Sequence, residues 1–184
     1  LINQTTNGDF AKDFNINVTQ DGSSFAKVTQ TANNAESFNF TADVTQTGNG
    51  HSATVLQEDA GAANGGDNGL DADVIQTGSN NTARLNQFNR DQTAEITQSG
   101  FENLTSATQN GIGNNLTVDQ SGRESTVISL QTGNSTGVIT QTGREESARL
   151  TQDGESNVVA TINQFGRENT TDIKQIEQSR GDQA

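Results

Sequence analysis

Apolar residues along this chain do not cluster; they alternate with polar ones. In most segments an aliphatic residue stands two places before a Gln, and a small residue stands two places before that. The aliphatic positions are Val18, Val28, Val44, Val55, Val74, Leu85, Ile96, Ala107, Val118, Ile139, Leu150, Ile162 and Ile173, and Ser129 alone breaks the rule. The small positions are Ala26, Ala42, Ala53, Ala72, Ala83, Ala94, Gly137, Ala148 and Ala160. A period of two is the strand period, in which successive side chains point to opposite faces. No comparable 3.6-residue pattern is present, so each segment is predicted to be a β-strand with one buried face.

The Gln that closes each segment sets the interval. These residues are Gln20, Gln30, Gln46, Gln57, Gln76, Gln87, Gln98, Gln109, Gln120, Gln131, Gln141, Gln152, Gln164 and Gln175. From Gln76 onward the steps are 11, 11, 11, 11, 11, 10, 11, 12 and 11 residues. Earlier, short steps alternate with long ones, as from Gln30 to Gln46 and from Gln57 to Gln76. Insertions near 31–37 and 58–69 therefore fall in every second connection. That is the behaviour of a coil with two sides per turn, only one of which tolerates loops.

Gly follows the same alternation. Gly22, Gly48, Gly78, Gly100, Gly122, Gly143 and Gly166 stand two residues after every second Gln without exception. The other set has Gly only at Gly111, Gly133 and Gly154. One turn is therefore read as tight and in need of positive φ, which Gly supplies at low cost. The repeating unit is two strands, near 22 residues. Residues 1–13 are read as a partial strand with Ile2 and Gln4 inward, plus a connector; 14–175 as the array; and 176–184 as a tail.

Composition changes this picture in one respect. Only 28% of the 184 residues are hydrophobic, with no Trp, Tyr or Met, and the mean hydropathy is −0.73. A chain with so little apolar surface ordinarily stays unfolded. The absence of Pro and the phasing of the apolar residues oppose that. The core must then include polar groups that satisfy one another. A Gln amide has two donors and two acceptor lone pairs. Stacked at one strand spacing, about 4.8 Å, each amide can bond the copies above and below it. The predicted fold is an all-β solenoid with two strands per turn, about seven rungs and cross-β stacking. Its inward Gln residues form ladders, and Asn81, Asn103, Asn114 and Asn169, six before their Gln, are expected to stack in the same way.

Charge excludes some functions. The net charge is −13, and the ten basic residues are scattered, which argues against nucleic-acid binding. No apolar run is long enough to insert in a membrane. Without Cys there are no disulfides or thiolate metal sites. No signal peptide is visible, and a start at Leu1 fits a processed N-terminus. Neither a cofactor nor catalysis is indicated. The ends of such a coil carry no Pro to protect them, so the fold is expected to polymerise end to end into a fibre.

The repeat resembles that of the curli fibre subunits, the secreted curlin-repeat functional amyloids of bacteria. That pattern is roughly Ser-x5-Gln-x-Gly-x-x-Asn-x-Ala-x3-Gln. Gln76, Gly78, Asn81, Ala83 and Gln87 match its Gln-to-Gln part in full. Gln98, Gly100, Asn103 and Gln109 match with Thr105 for Ala, and Gln164, Gly166, Asn169 and Gln175 match with Thr171 for Ala. The leading Ser occurs at Ser135 and is replaced by Phe14, Phe40, Leu70, Gln92, Asn114 and Val158 elsewhere. The resemblance implies an extracellular, cell-surface fibre serving adhesion and biofilm formation. Its partners would be further copies of the chain, a nucleator subunit and secretion chaperones.

Other groups invite chemistry. His51 sits six before Gln57 and is read as structural, since nothing marks the grouping a catalytic triad needs. Asp67, Asp71 and Asp73 lie in a Gly-rich stretch that could offer oxygen ligands to calcium, but the stretch occurs once and reads better as an insertion. Asp43, Asp73 and Glu95 each stand three before a Gln, which stacks like charges on successive rungs. They are read as a solvated face or as an electrostatic brake on assembly. The sequons at Asn103 and Asn169 are expected to face inward and so to carry no glycan. A different class of function, a monomeric solenoid that binds ice or a surface, would use the outward Thr residues.

Overall fold

Each alternating segment is a strand in the computed structural model, which describes residues 1–6, 12–32, 38–59 and 68–176. The first strands are β1 (Ile2–Thr6), β2 (Lys12–Asp21), β3 (Phe25–Ala32), β4 (Phe38–Asn49), β5 (Ser52–Asp59) and β6 (Asn68–Ser79). They are followed by β7 (Thr82–Arg90), β8 (Gln92–Phe101), β9 (Leu104–Ile112), β10 (Asn115–Arg123), β11 (Thr126–Arg144), β12 (Ser147–Arg167) and β13 (Thr170–Ile176). β11 and β12 run through a turn and give one stretch to each side of the coil. Strands continue to Ala32 and Asp59 and resume at Asn68, so the insertions are shorter than 31–37 and 58–69. Residues 33–37 and 60–67 lie outside the described part, as do 7–11 of the connector and 177–184 of the tail.

All pairing is parallel, and each strand pairs with the strand one full turn away. β1, β3, β5, β7, β9, the first halves of β11 and β12, and β13 stack into one sheet. β2, β4, β6, β8, β10 and the second halves of β11 and β12 stack into the other. The product is a two-sheet β-solenoid of about seven turns. Register places Gln on Gln throughout, for example Gln57↔Gln87 and Gln98↔Gln120. A slip of one residue would turn every buried side chain outward, so the pattern itself fixes the register. The uneven steps of 10 and 12 residues are absorbed in one looser turn, where Gly133↔Gly154 is followed by Ser135↔Val158.

Between the sheets lies a thin core. Val28, Leu85, Ile96 and Leu150 are fully buried, each with a buried Ala two places earlier, and Leu116 and Ile139 are fully buried beside them. Gly137 shows how closely volumes are matched. A methyl group there would come within 2.7 Å of Leu150 Cδ2. Ser129, the break in the aliphatic column, is buried with no hydrogen-bond partner for its hydroxyl.

The tight turn is a stack of glycines. Gly22, Gly48, Gly78, Gly100, Gly122, Gly143 and Gly166 have φ between 104° and 149°. In all but Gly166, an added Cβ would fall 1.9–2.2 Å from the carbonyl oxygen of the next glycine in the stack. Gly166 sits on the last turn, where the nearest atom is Asn169 Nδ2 at 3.8 Å. The two causes can be separated by substitution. Gly166→Ala is expected to lose only the conformational term, about 1–2 kcal/mol. Gly100→Ala adds a clash with the Gly122 carbonyl and should cost about 3 kcal/mol or more. Urea unfolding of the two variants checks the ranking, and equal costs would contradict the stacking constraint.

Candidate assembly interface

The Gln side chains form two unbroken columns of amide hydrogen bonds. In the first sheet Nε2 of Gln4 donates to Oε1 of Gln30 at 3.3 Å, followed by Gln30 to Gln57 at 2.8 Å and Gln57 to Gln87 at 2.9 Å. The column continues from Gln87 to Gln109, Gln131, Gln152 and Gln175 at 3.0–3.1 Å. In the second sheet Gln20, Gln46, Gln76, Gln98, Gln120, Gln141 and Gln164 are joined at 2.6–2.9 Å. Every bond runs in one direction, from an amide nitrogen to the oxygen of the next turn.

From Gln30 and Gln46 onward, the second N–H of each amide reaches across the interior. Gln109 donates to Thr93 O at 3.0 Å, Gln87 to Asp71 O at 2.8 Å and Gln98 to Thr82 O at 3.0 Å. In each case the acceptor lies five residues before a Gln of the opposite sheet. The amide thus ties successive turns along the axis and the two sheets across it. Burying an amide is costly unless both donors are used, and here both are. The acceptors are main-chain carbonyls of differing residues, so no sequence pattern marks the cross-sheet bond.

The two ends are unlike the middle. Gln30, Gln57, Gln87, Gln109, Gln131 and Gln152 are completely buried, whereas Gln4 and Gln20 are exposed. Ile16 and Val18 at one end and Ile173 at the other are only partly covered. Ile2 keeps its place in the aliphatic column opposite Val28 but is 53% exposed, because among the described residues no further turn covers it. The first column opens on the oxygen of Gln4 and finishes on the nitrogen of Gln175, which donates to Val159 O at 3.1 Å. Among the described residues nothing covers the free edges of β1, β2, β13 or the second half of β12.

Two stretches of the chain, residues 90–122 and 143–176, match the family model of the curlin associated repeat. These two stretches carry the curlin associated repeat. No curated protein and no solved structure matches the chain. The matched curlin repeats coincide with the turns built on short connections, from β8 to β10 and from β12 to β13. The earlier turns, with their inserted loops, fall outside the match.

The Asn residues of the curlin repeats do not stack amide on amide. Asn81 Nδ2 donates to Thr77 O at 3.0 Å, four residues back, and Asn103, Asn114 and Asn169 do the same to Ser99, Asn110 and Phe165. The oxygens of Asn81 and Asn103 accept from the main chain of the next turn: Asn103 N donates to Asn81 Oδ1 at 3.0 Å and Ser125 N to Asn103 Oδ1 at 3.2 Å, whereas Asn114 Oδ1 is buried without a partner. The expectation of an Asn ladder is corrected accordingly. At a corner the short side chain reaches a turn carbonyl sooner than it reaches its own copy. Asn103 is fully buried, whereas Asn169 is only half covered.

His51 occupies the same corner. Its Nε2 donates to Thr47 O at 3.1 Å, and its Nδ1 accepts from Asn81 N at 3.3 Å. Both ring nitrogens are thereby used in closing a turn. On the other sheet Gln92, Asn114 and Ser135 also bond turn carbonyls. Where the preceding connection is long, that position is taken by Phe14, Phe40 and Leu70, with the two rings edge to face at 5.2 Å.

Asp43, Asp73 and Glu95 lie on successive strands of the second sheet, in register and facing outward. Asp73 is held above the ordinary aspartate value of 3.8 by partial burial and by the charges of Asp43, Glu95 and Asp71. Asp71 is raised by burial and by Asp43, against a lowering hydrogen bond from the Ala72 main chain. Asp67, the third member of the calcium reading, lies outside the described residues. Among the described residues no three His, Asp or Glu side chains converge on a point that could hold a metal ion.

The amide column makes a direct prediction. Gln109→Leu keeps the bulk but leaves Gln131 Oε1 without its donor and Gln87 Nε2 without its acceptor in the column. A cost of about 2–4 kcal/mol is expected from unsatisfied buried groups. Gln4→Leu, at the exposed end, should cost under about 1 kcal/mol in the isolated chain. Denaturant titration of both variants checks this, and a neutral Gln109→Leu would show that the interior amides contribute nothing net.

Proposed function

We propose that this chain is the structural subunit of an extracellular, amyloid-like fibre that grows by end-to-end stacking of solenoids. The observation that carries the reading is the pair of unlike ends, uncovered among the described residues. One end offers the amide oxygen of Gln4 and the other offers the amide nitrogen of Gln175. Stacking β13 of one copy beneath β1 of the next would continue the Gln column and cover Ile2 and Ile173. A contact between two different surfaces that does not close on itself gives a filament. The curlin-repeat match supports a place in the biofilm matrix, a role in adhesion, and partners in the form of a nucleating subunit and secretion chaperones. No step of this role requires a reaction or a cofactor.

Electron microscopy of the purified protein, with circular dichroism alongside, tests the proposal. Filaments with an axial repeat of seven to eight strand spacings, about 34–38 Å, are expected. A β signal without filaments would overturn fibre formation. It would favour a monomeric binding module instead. One feature speaks for that second reading: Thr47, Thr77, Ser99, Ser121 and Thr142 form a column of outward hydroxyls on successive turns.

The acidic column is proposed as a brake on growth. A carboxyl whose pKa is raised in the folded, stacked state binds its proton more tightly there than in the unfolded chain. Its contribution to folding is therefore complete below the ordinary value of 3.8 and is lost as pH rises through the raised value. Growth should accelerate between neutral pH and about pH 4, and Asp73→Asn should be faster at neutral pH and less responsive to acid. Thioflavin-monitored growth that is flat across this range would remove the brake from the account.

A further inference from the structure

The two outer faces of the solenoid differ in charge. On the first sheet the column three residues before the Gln runs Lys27, Thr54, Arg84, Ser106, Ile128, Arg149 and Asp172 on successive turns. On the second sheet it runs Asn17, Asp43, Asp73, Glu95, Thr117 and Val138. Ion pairs among the described residues join Arg123 to Glu124 and Arg144 to Glu145, both in the tight turns. Lys27, Arg84 and Arg149 form no ion pair among the described residues. Glu58, Asp153 and Asp172 share their face, but none occupies the column between Lys27 and Arg149.

The columns also match in height. Lys27 and Arg84 stand on the second and fourth turns, and Asp43, Asp73 and Glu95 on the second, third and fourth. Ile128 and Leu130 are each 42% exposed on the sixth turn of the first sheet. Val138 lies on the sixth turn of the second sheet, and Val159, 57% exposed, lies one turn further. Lateral position agrees as well. Each Gln lies opposite the residue five before a Gln of the other sheet. The two columns are therefore offset by one residue, about 3.3 Å, across the solenoid.

From this geometry we infer that a second copy docks side by side, in the same direction and at the same height, with its acidic second-sheet face on the basic first-sheet face. Lys27 and Arg84 of one copy then meet Asp43, Asp73 and Glu95 of its neighbour, and Ile128 and Leu130 meet Val138 and Val159. The net charge of −13 opposes any association of like chains. At 0.1 M salt, however, charges beyond about 10 Å are screened while the facing columns are not. Each exposed pair is weak alone, but a filament would repeat the contact along its length. The contact itself needs only the folded solenoid and not end-to-end growth.

Charge reversal tests it. Lys27→Glu with Arg84→Glu makes both faces acidic, and Asp43→Lys with Asp73→Lys makes both faces basic. Each variant alone should lose lateral association by about tenfold or more, because like charges then face each other. An equimolar mixture should regain it, since the acidic faces of one variant meet the basic faces of the other. Sedimentation reads the soluble solenoid, and filament width in electron micrographs reads the bundle. The neutral pair Lys27→Gln with Arg84→Gln, with β content checked by circular dichroism, serves as a milder variant should a reversal fail to fold, and it should also associate more weakly than the parent chain. Reversed variants that associate as the parent does, a neutral pair that does so, or a mixture that stays dispersed would each overturn the inference. Side-by-side dimers in the absence of filaments would support it while counting against end-to-end growth.

Discussion

The structure depends on a buried primary amide that must place both of its N–H groups. Leaving one unpaired in the interior would cost more than a typical hydrogen bond returns. A copy of the same residue one strand spacing away accepts one N–H, and a main-chain carbonyl of the opposite sheet accepts the other. This requirement dictates parallel pairing, Gln on Gln in register, and a chain length per half turn that varies by only a residue or so after Gln76. It also sets the distance between the sheets. The aliphatic column and the small residues beside it then fill the space that remains.

A polar core held in this way leaves different work to each surface. The interior is finished by the chain itself, turn after turn. Its two ends are not, and there the aliphatic and amide columns stop in the open. The faces are a third kind of surface, bearing the charges that the core excludes. Edges that lack covering ordinarily invite pairing with another chain. In this molecule charge is absent from the columns that would stack end to end and is concentrated on the faces that would meet side by side.

Much of this architecture was legible in the sequence. Strict alternation identified the strands, the repeating Gln identified the turns, and the regular Gly identified the tight corner. What escaped were interactions that depend on reach and not on period. Asn81 and Asn103 stand in phase with the Gln repeat, yet their shorter side chains meet a turn carbonyl first. The same is true of the bond from Gln109 to Thr93, which crosses between sheets and leaves no trace in either strand's own alternation. The exchange of Asn114 and Gln92 for Leu70 and Phe40 at one corner could have been tied to the long connections that precede it, because insertion and apolar plug occur together.

Because all the amides of a column point the same way, their small dipoles add along the axis. A stack of such solenoids would therefore have a head and a tail that no rotation can interchange. Strands anchored to a surface by one terminus would all turn the same kind of tip toward the medium. Recruitment, arrest by a capping molecule and shedding would then be governed by one end alone.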